Sequence, residues 1–294
     1  MTVPAITVET SAWAAYELVD SGDGRKLERF GDHLLVRSEP KAWWRPRLEA
    51  DAWSRADAVF EDSGRWITGN RNLAKAWTLR LDKLRLEARL TDMSKHVGVF
   101  PEQEPHWRWL HTELSTLRRE NPPEVLNLFG YTGVATLVAA AAGARVTHVD
   151  ASKPALAWAR ENQERSGLAN APVRWLLDDA FKFVAREIRR GRRYDAILLD
   201  PPSFGRGPKG EIWKVESQIA DLMEHLRSLL DPARGRLVLT LYNLEASALM
   251  LANLVRSKFS PGTLTCGELA LRGTAPDAPA LPLSLFARWK GPQA

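Results

Sequence analysis

The 294-residue chain contains one cysteine, Cys266, and no apolar run long enough to span a membrane. A single thiol excludes a disulfide framework and any cluster built on cysteine ligands, and it fits a reducing compartment. The nearest candidate span, Val134 to Ala142, is short and alanine-rich, against about 20 apolar residues for a spanning helix. The opening stretch MTVPAITVETSAW lacks the basic and continuous apolar regions of a secretory signal, so a cytoplasmic location and no membrane partner are expected. His33, His96, His106, His111, His148 and His225 show no metal-ligand spacing, and no metal is expected. The G-x-G-x-x-G turn that wraps a pyrophosphate and the lysine of a phosphate-cradling loop are also missing.

Charge and aromatic content say more about what is present. Lys and Arg number 41 against 36 Asp and Glu, a net charge of +5, too mild an excess to establish a polyanionic partner. Of twelve tryptophans, eight precede Pro122: Trp13, Trp43, Trp44, Trp53, Trp66, Trp77, Trp107 and Trp109. Most are expected in the core, because base-stacking aromatics number only a few per domain. The length allows about two domains of roughly 150 residues. The reading places a small Trp-rich β domain for substrate recognition at 1–103 and a catalytic domain at 104–294.

In the front part, Trp77–Leu81 and Leu84–Leu90 alternate apolar and polar residues around a turn at Asp82-Lys83, which predicts a hairpin. Arg80, Arg85 and Arg89 then share its polar face, as a plain solvent surface or as an RNA platform. From Pro105 a helix runs to Arg118-Arg119 and stops at Asn121-Pro122-Pro123. Strand and helix then alternate: strands at 125–129, 145–149, 173–177, 196–199 and 237–241, with helices between and after them. That order predicts an α/β fold, a Rossmann-like and mostly parallel sheet of seven strands closed by an antiparallel strand from the tail.

In such sheets ligands bind beyond the C-terminal strand ends. After the first strand comes Asn127-Leu-Phe129-Gly130-Tyr131-Thr132-Gly133, whose glycines admit a nucleoside without phosphates, although an ordinary strand-to-helix turn would look the same. Asp150-Ala151-Ser152 follows the second strand and could take ribose hydroxyls. Asp178-Asp179-Ala180 follows the third, as an adenine acceptor or simply a helix N-cap. The sharpest signal ends the fourth strand: Asp200-Pro201-Pro202-Ser203-Phe204. Consecutive prolines hold the chain extended and remove two N–H donors. The Asp200 carboxylate and Pro201 carbonyl can then accept from a planar nitrogenous substrate, with Phe204 as a stacking face. Arg206, Lys209 and Lys214 in the Gly-rich segment beyond could grip a phosphate as a mobile lid, or be solvated loop charge.

Together NLFGYTG, VDAS, DDAF and DPPSFGRGPKG resemble the class I methyltransferases of the bacterial large-subunit ribosomal RNA group, which act on cytosine C5 or guanine N7. Leu90-Thr-Asp92 with Gly98–Gln103 resembles the segment joining that family's small β domain to its catalytic domain, and the likeness runs from Leu84 to Asn243. It implies S-adenosylmethionine as cofactor, held by Asn127 to Gly133, Asp150 to Ser152, Asp178 to Ala180 and Asp200, with Phe100 and Gln103 nearby. Asp200, Pro201, Pro202 and Phe204 would face the target, a base in 23S ribosomal RNA or its precursor. Cytosine C5 chemistry needs a thiolate that adds to the ring. No cysteine stands at the end of the fourth or fifth strand, and Cys266 reads as a buried small hydrophobe. A base nitrogen is therefore the expected target. The alternatives are a small-molecule or protein methyltransferase, or an RNA-binding protein that retains the pocket without turnover.

Overall fold

Short apolar runs separated by amphipathic helices fold in the computed structural model into a sheet with helices on both faces. The structure describes residues 5–10, 12–69, 73–117, 121–242 and 244–293. Arg118, Arg119 and Asn243, named above, lie outside the described residues. The chain divides into two units: one comprises 1–8, 105–268 and 284–294, the other 9–104 and 269–283. The division thus falls after Glu104, but neither unit is one continuous segment.

The larger unit is built on β1 (Glu124–Leu128), α1 (Val134–Ala141), β2 (Arg145–Asp150), α2 (Lys153–Arg165), β3 (Val173–Leu177), α3 (Ala180–Arg189), β4 (Ala196–Leu199), α4 (Val215–Leu229), β5 (Arg236–Tyr242), α5 (Ala248–Lys258), β6 (Thr263–Leu271) and β7 (Leu281–Lys290). Their order across the sheet is β6-β7-β5-β4-β1-β2-β3. The pairs β3–β2, β2–β1, β1–β4 and β4–β5 are parallel, and β5–β7 is antiparallel. Strand order reverses between β1 and β4, which places the switch point beside Leu128 and Leu199. The sheet has eight strands where seven were expected, because Ala5–Thr10 pairs outside β6 and covers what would be an open edge. A domain boundary at 103 places that strand in the small β domain, whereas it pairs into this sheet.

Burial alternates with the pleat. Val125, Val146, Ala196, Leu198 and Val238 pack on one face with Leu110, Leu114 and Leu117 from the helix Glu104–Leu117. Leu126, Leu128, Ile197, Leu199, Leu237 and Leu239 pack on the other, against α3, α4 and α5. Strands covered on both faces read as continuous apolar runs, hence ILL in β4 and RLVLTLY in β5.

The smaller unit contains a five-stranded sheet, ordered Tyr16–Gly22, Arg25–Phe30, His33–Ser38, Ala58–Phe60, Trp66–Thr68, and the separate hairpin Ala76–Leu81/Leu84–Arg89. Asp82 turns that hairpin at φ 50°. Of the eight early tryptophans only Trp53 and Trp107 are fully buried, and Trp43 is exposed. The expectation of core positions is therefore too simple. Trp44, Trp66 and Trp77 are half-buried, and their indole N–H groups donate to the carbonyls of Ser21, Ser94 and Phe30. An indole with a polar handle settles where one edge meets a carbonyl and the rest is apolar.

Candidate active site

The loop leaving β1 is strained. Phe129 (φ 56°), Tyr131 (φ 50°) and Gly133 (φ 83°) all lie in the left-handed region, which costs a non-glycine residue on the order of 1–3 kcal/mol. The surroundings hold it there. Asn162 on α2 donates to the Thr132 carbonyl at 3.0 Å, and the Tyr131 N–H donates to Asp150 Oδ2 at 2.8 Å. A Cβ on Gly130 would lie 2.3 Å from His148 Cε1 and 2.9 Å from Asn127 Nδ2, so only glycine fits. Beneath it Asn127 donates to Thr136 Oγ1, which also meets His148 Nδ1, each at 2.9 Å. Burial holds the His148 imidazole neutral, with its pKa pushed down to about 3. Asn127, buried at 3% exposure, therefore braces the loop from below.

Three more strand ends complete the rim. Asp150 is half-buried; it accepts the N–H of Tyr131 and of Ser152 (2.8 Å), and burial raises its pKa. Ser152, two residues on, caps α2 by accepting the Ala155 N–H, with Ala151 between them. Asp179 caps α3 by accepting the Lys182 N–H at 2.9 Å, the local role the sequence allowed, and Ala180 begins that helix. Asp178 bonds Arg186. Asp200, past the end of β4, accepts from Thr240 Oγ1 at 2.5 Å, a partner the neighbouring register of β5 supplies. Solvent reaches Asp200 at the rim, yet protein crowds its carboxyl group enough to lift the pKa to about 6.

Beyond Pro201 and Pro202 the segment read as a possible lid contains an antiparallel hairpin, Phe204–Arg206 paired with Ile212–Lys214. Period-two alternation turns Trp213 inward, against Phe129 and Phe181, with its indole N–H on the Pro202 carbonyl at 2.7 Å. The same alternation turns Phe204, Arg206, Ile212 and Lys214 outward. Lys182 pairs with Glu211, which also accepts the Lys209 N–H and fixes the tip. Phe204, 52% exposed, lines a groove of about 580 Å³ with Ser203, Lys214, Glu216, Leu244 and Glu245. Sequence reasoning missed Trp213, Thr240, Thr136, His148 and Asn162, whose roles depend on contacts between elements distant in sequence.

The remaining named residues belong to the smaller unit. Phe100 precedes the 3₁₀ turn Pro101–Gln103, and its ring lies 4.9 Å from that of His96. Arg80, Arg85 and Arg89 share one hairpin face with Glu87, which pairs with Arg89. Among the described residues no group of acidic, histidine or cysteine side chains has metal-binding geometry.

The carboxylates at the rim, hydrogen-bond acceptors of negative charge, narrow the class of molecule it can hold. Asp150, Asp178, Asp179 and Asp200 all stand at or just past strand C-termini, a net negative rim that disfavours a pyrophosphate even with Arg186 paired to Asp178. A nucleoside carrying a sulfonium and an ammonium group meets attraction instead, and Asp150 stands at the strand end where ribose hydroxyls are accepted. A family model described as S-adenosylmethionine-dependent methyltransferase matches residues 54–248. The chain belongs to this methyltransferase family. A crystal structure of the S-adenosylmethionine-dependent methyltransferase from Agrobacterium tumefaciens is 45% identical, with TM-score 0.92 over 99% of this chain and 96% of that one. Ribosomal RNA large subunit methyltransferase I of Klebsiella pneumoniae is 32% identical over 158 residues, 53% of this chain and 38% of that protein. Ribosomal RNA large subunit methyltransferase K/L of Vibrio cholerae is 37% identical over 111 residues, 37% of this chain and 15% of that protein. The chain therefore matches well under two-thirds of these curated relatives' lengths. No helix among the described residues is long and apolar enough to cross a membrane.

Proposed function

We propose that this methyltransferase modifies a nitrogen of a base in RNA, specifically large-subunit ribosomal RNA (23S or its precursor), in the cytoplasm. The observation that carries the reading is the half-exposed Phe204 ring facing a groove directly after Asp200-Pro201-Pro202, in a family whose relatives above are named for ribosomal RNA. S-adenosylmethionine, when bound, supplies a methyl group made electrophilic by a sulfonium. Asn127, the loop Phe129 to Gly133, Asp150 to Ser152, Asp178 to Ala180 and Asp200, all in the larger unit, would hold it.

The chain's own contribution is orientation. Holding a nucleophile near attack distance is worth up to about 7–11 kcal/mol, and a ring nitrogen with a free lone pair needs little else. Phe204 stacks the base. The Asp200 carboxylate and the Pro201 carbonyl accept N–H groups on its edge, which matters most when an exocyclic amine becomes cationic. Carbon-5 of cytosine is disfavoured: Cys266 is 1% exposed within β6, and burial pushes its thiol up to about 11, far from a ready nucleophile. Arg206, Lys209 and Lys214 would meet phosphates beside the groove, and the smaller unit, with Arg80, Arg85 and Arg89, would recognise the RNA.

The test is nucleoside mass spectrometry of ribosomal RNA from a strain lacking the gene, followed by methylation of that RNA by the purified protein. One missing methylated nucleoside, restored in vitro, is the expected result. Unchanged ribosomal RNA, with S-adenosylmethionine still bound by the protein, would point to the small-molecule or protein alternative.

A further inference from the structure

Trp43 is the most exposed large apolar side chain among those described, at 90%. The loop around it is otherwise firmly built. Ala42 is completely buried, and its carbonyl accepts the Gly24 N–H at 2.9 Å. The Trp44 carbonyl accepts the Asp23 N–H at 2.7 Å, and the Trp44 indole donates to Ser21 O. Further along, the Asp20 carboxylate collects the N–H groups of Arg47 and Leu48 and the indole of Trp53. A Cβ on Gly22 would stand 2.3 Å from Pro46 N, so the hairpin turn and the loop are fitted to each other. Neighbours on both sides are thus pinned while the Trp43 ring is held in water.

An apolar ring kept exposed on a fixed loop is a pre-organised contact, and its surroundings indicate for what. Residues 41–48, KAWWRPRL, carry three cations and no anion. Arg45 pairs with Asp23 at 3.2 Å and Arg47 with Asp277 at 2.7 Å. With Arg45 and Asp277 both largely exposed, these are solvent-side ion pairs that a phosphate can take over at little expense. A protein partner would require a contiguous apolar patch within a buried interface of about 1,200–2,000 Å². Here the only other exposed apolar side chain in the loop is Leu48, at 41%. One ring followed by two guanidinium groups in the same loop suits a single strand: the base stacks and the backbone is neutralised.

We propose that the loop 41–48 is a stacking platform for single-stranded RNA, with Trp43 under a base and Arg45 and Arg47 on flanking phosphates. This rests on the RNA reading above and adds to it a second contact, in the smaller unit.

The experiment measures binding of a short labelled single-stranded RNA of mixed sequence by fluorescence anisotropy, with calorimetry of S-adenosylmethionine in parallel. Trp43→Ala should weaken RNA binding roughly tenfold, while Trp43→Phe, which keeps an aromatic face, should stay within about threefold of wild type. Arg45→Ala and Arg47→Ala should each lower the slope of log affinity against log salt by about one. Cofactor binding should be unchanged throughout, which reports that the fold is intact. RNA binding of Trp43→Ala equal to wild type overturns the platform and leaves the RNA reading standing. Wild-type protein that binds cofactor but no RNA at low salt overturns the RNA reading and the platform with it.

Discussion

Glu28, in the second strand of the smaller unit's sheet, is completely buried, yet its pKa is lowered, whereas burial raises Asp200 at the end of β4 to about 6. The difference lies in the partners. Arg37 reaches Glu28 with two guanidinium nitrogens at 2.7 Å, Tyr16 donates to it at 2.9 Å, and Lys26 stands 3.6 Å away. These outweigh the loss of water. At Asp200 burial is the larger influence and outweighs the lowering effect of the Thr240 hydroxyl. The larger unit thus keeps a carboxyl group poised between its two protonation states at the rim, beside a strained loop. In the smaller unit the buried charges of Glu28, Arg37 and Lys26 are paired among themselves. A buried ionic group with strong partners stays charged and holds a fold together, and one that burial overrules at a strand-end rim is a candidate for chemistry.

Breaking the smaller unit's network should give the largest effect. Arg37→Met leaves Glu28 buried without its main cation, and the expected loss is about 3–5 kcal/mol in urea unfolding. Replacing Glu28 by Met as well should recover most of it, since the uncompensated charge is then gone. A loss below about 1 kcal/mol for Arg37→Met alone would mean that the pair behaves like an exposed one.

Glu102 sharpens the comparison from within the smaller unit. It is 5% exposed, and burial raises its pKa to about 7 despite Lys26 and Arg37. The folded pKa lies above the unfolded one, so the fold favours the protonated form. The contribution of Glu102 to stability should be fullest below about pH 4.5 and decline as pH rises through about 7, by on the order of 3 kcal/mol. Glu102→Gln should flatten that slope in unfolding midpoints measured across this range. An unchanged slope would move the titration to another group.

At the rim, Asp200→Asn keeps the shape and removes the charge. The turnover rate should fall by about a hundredfold, the scale set by losing the alignment of a reacting group. In the wild type, activity should decline as pH falls through about 6, where Asp200 becomes protonated, and the variant should lose that limb. Single-turnover rates against pH check both. A wild-type limb that survives in the variant would remove Asp200 from the chemistry.

The parallel sheet and its strand-end carboxylates are legible because each depends on a local pattern, a short strand-forming run such as RVTHV or AILL followed directly by Asp. What was hidden depends on distant contacts. Ala5–Thr10 alternates like any edge strand, and nothing local indicates that it pairs with β6, more than 250 residues away. GRGPKG reads as loop, and only the burial of Trp213 makes a hairpin of its flanks. Glu28 and Arg37 look like surface residues until the sheet brings them together. The left-handed Phe129 and Tyr131 have no sequence signal, because their strain is upheld by Asn162 and Asp150 from other elements.

The smallest effect is expected where the hairpin meets the Asp-Pro-Pro segment. Trp213→Phe keeps an aromatic ring against Phe129 and Phe181 but removes the hydrogen bond to the Pro202 carbonyl. Pro202 is exposed, so water can replace the lost donor, and stability should drop by only about 0.5–1.5 kcal/mol. The consequence for catalysis is positional. Phe204 follows Pro202 by two residues and shares its hairpin with Trp213, so loosening this anchor loosens the stacking face as well. The expected result is a higher KM for the proposed RNA substrate with S-adenosylmethionine affinity unchanged, measured in steady-state and equilibrium assays. A higher cofactor dissociation constant with unchanged KM would show that Trp213 acts through Phe129 and the β1 loop instead, which makes the hairpin a support for the cofactor rather than for the target.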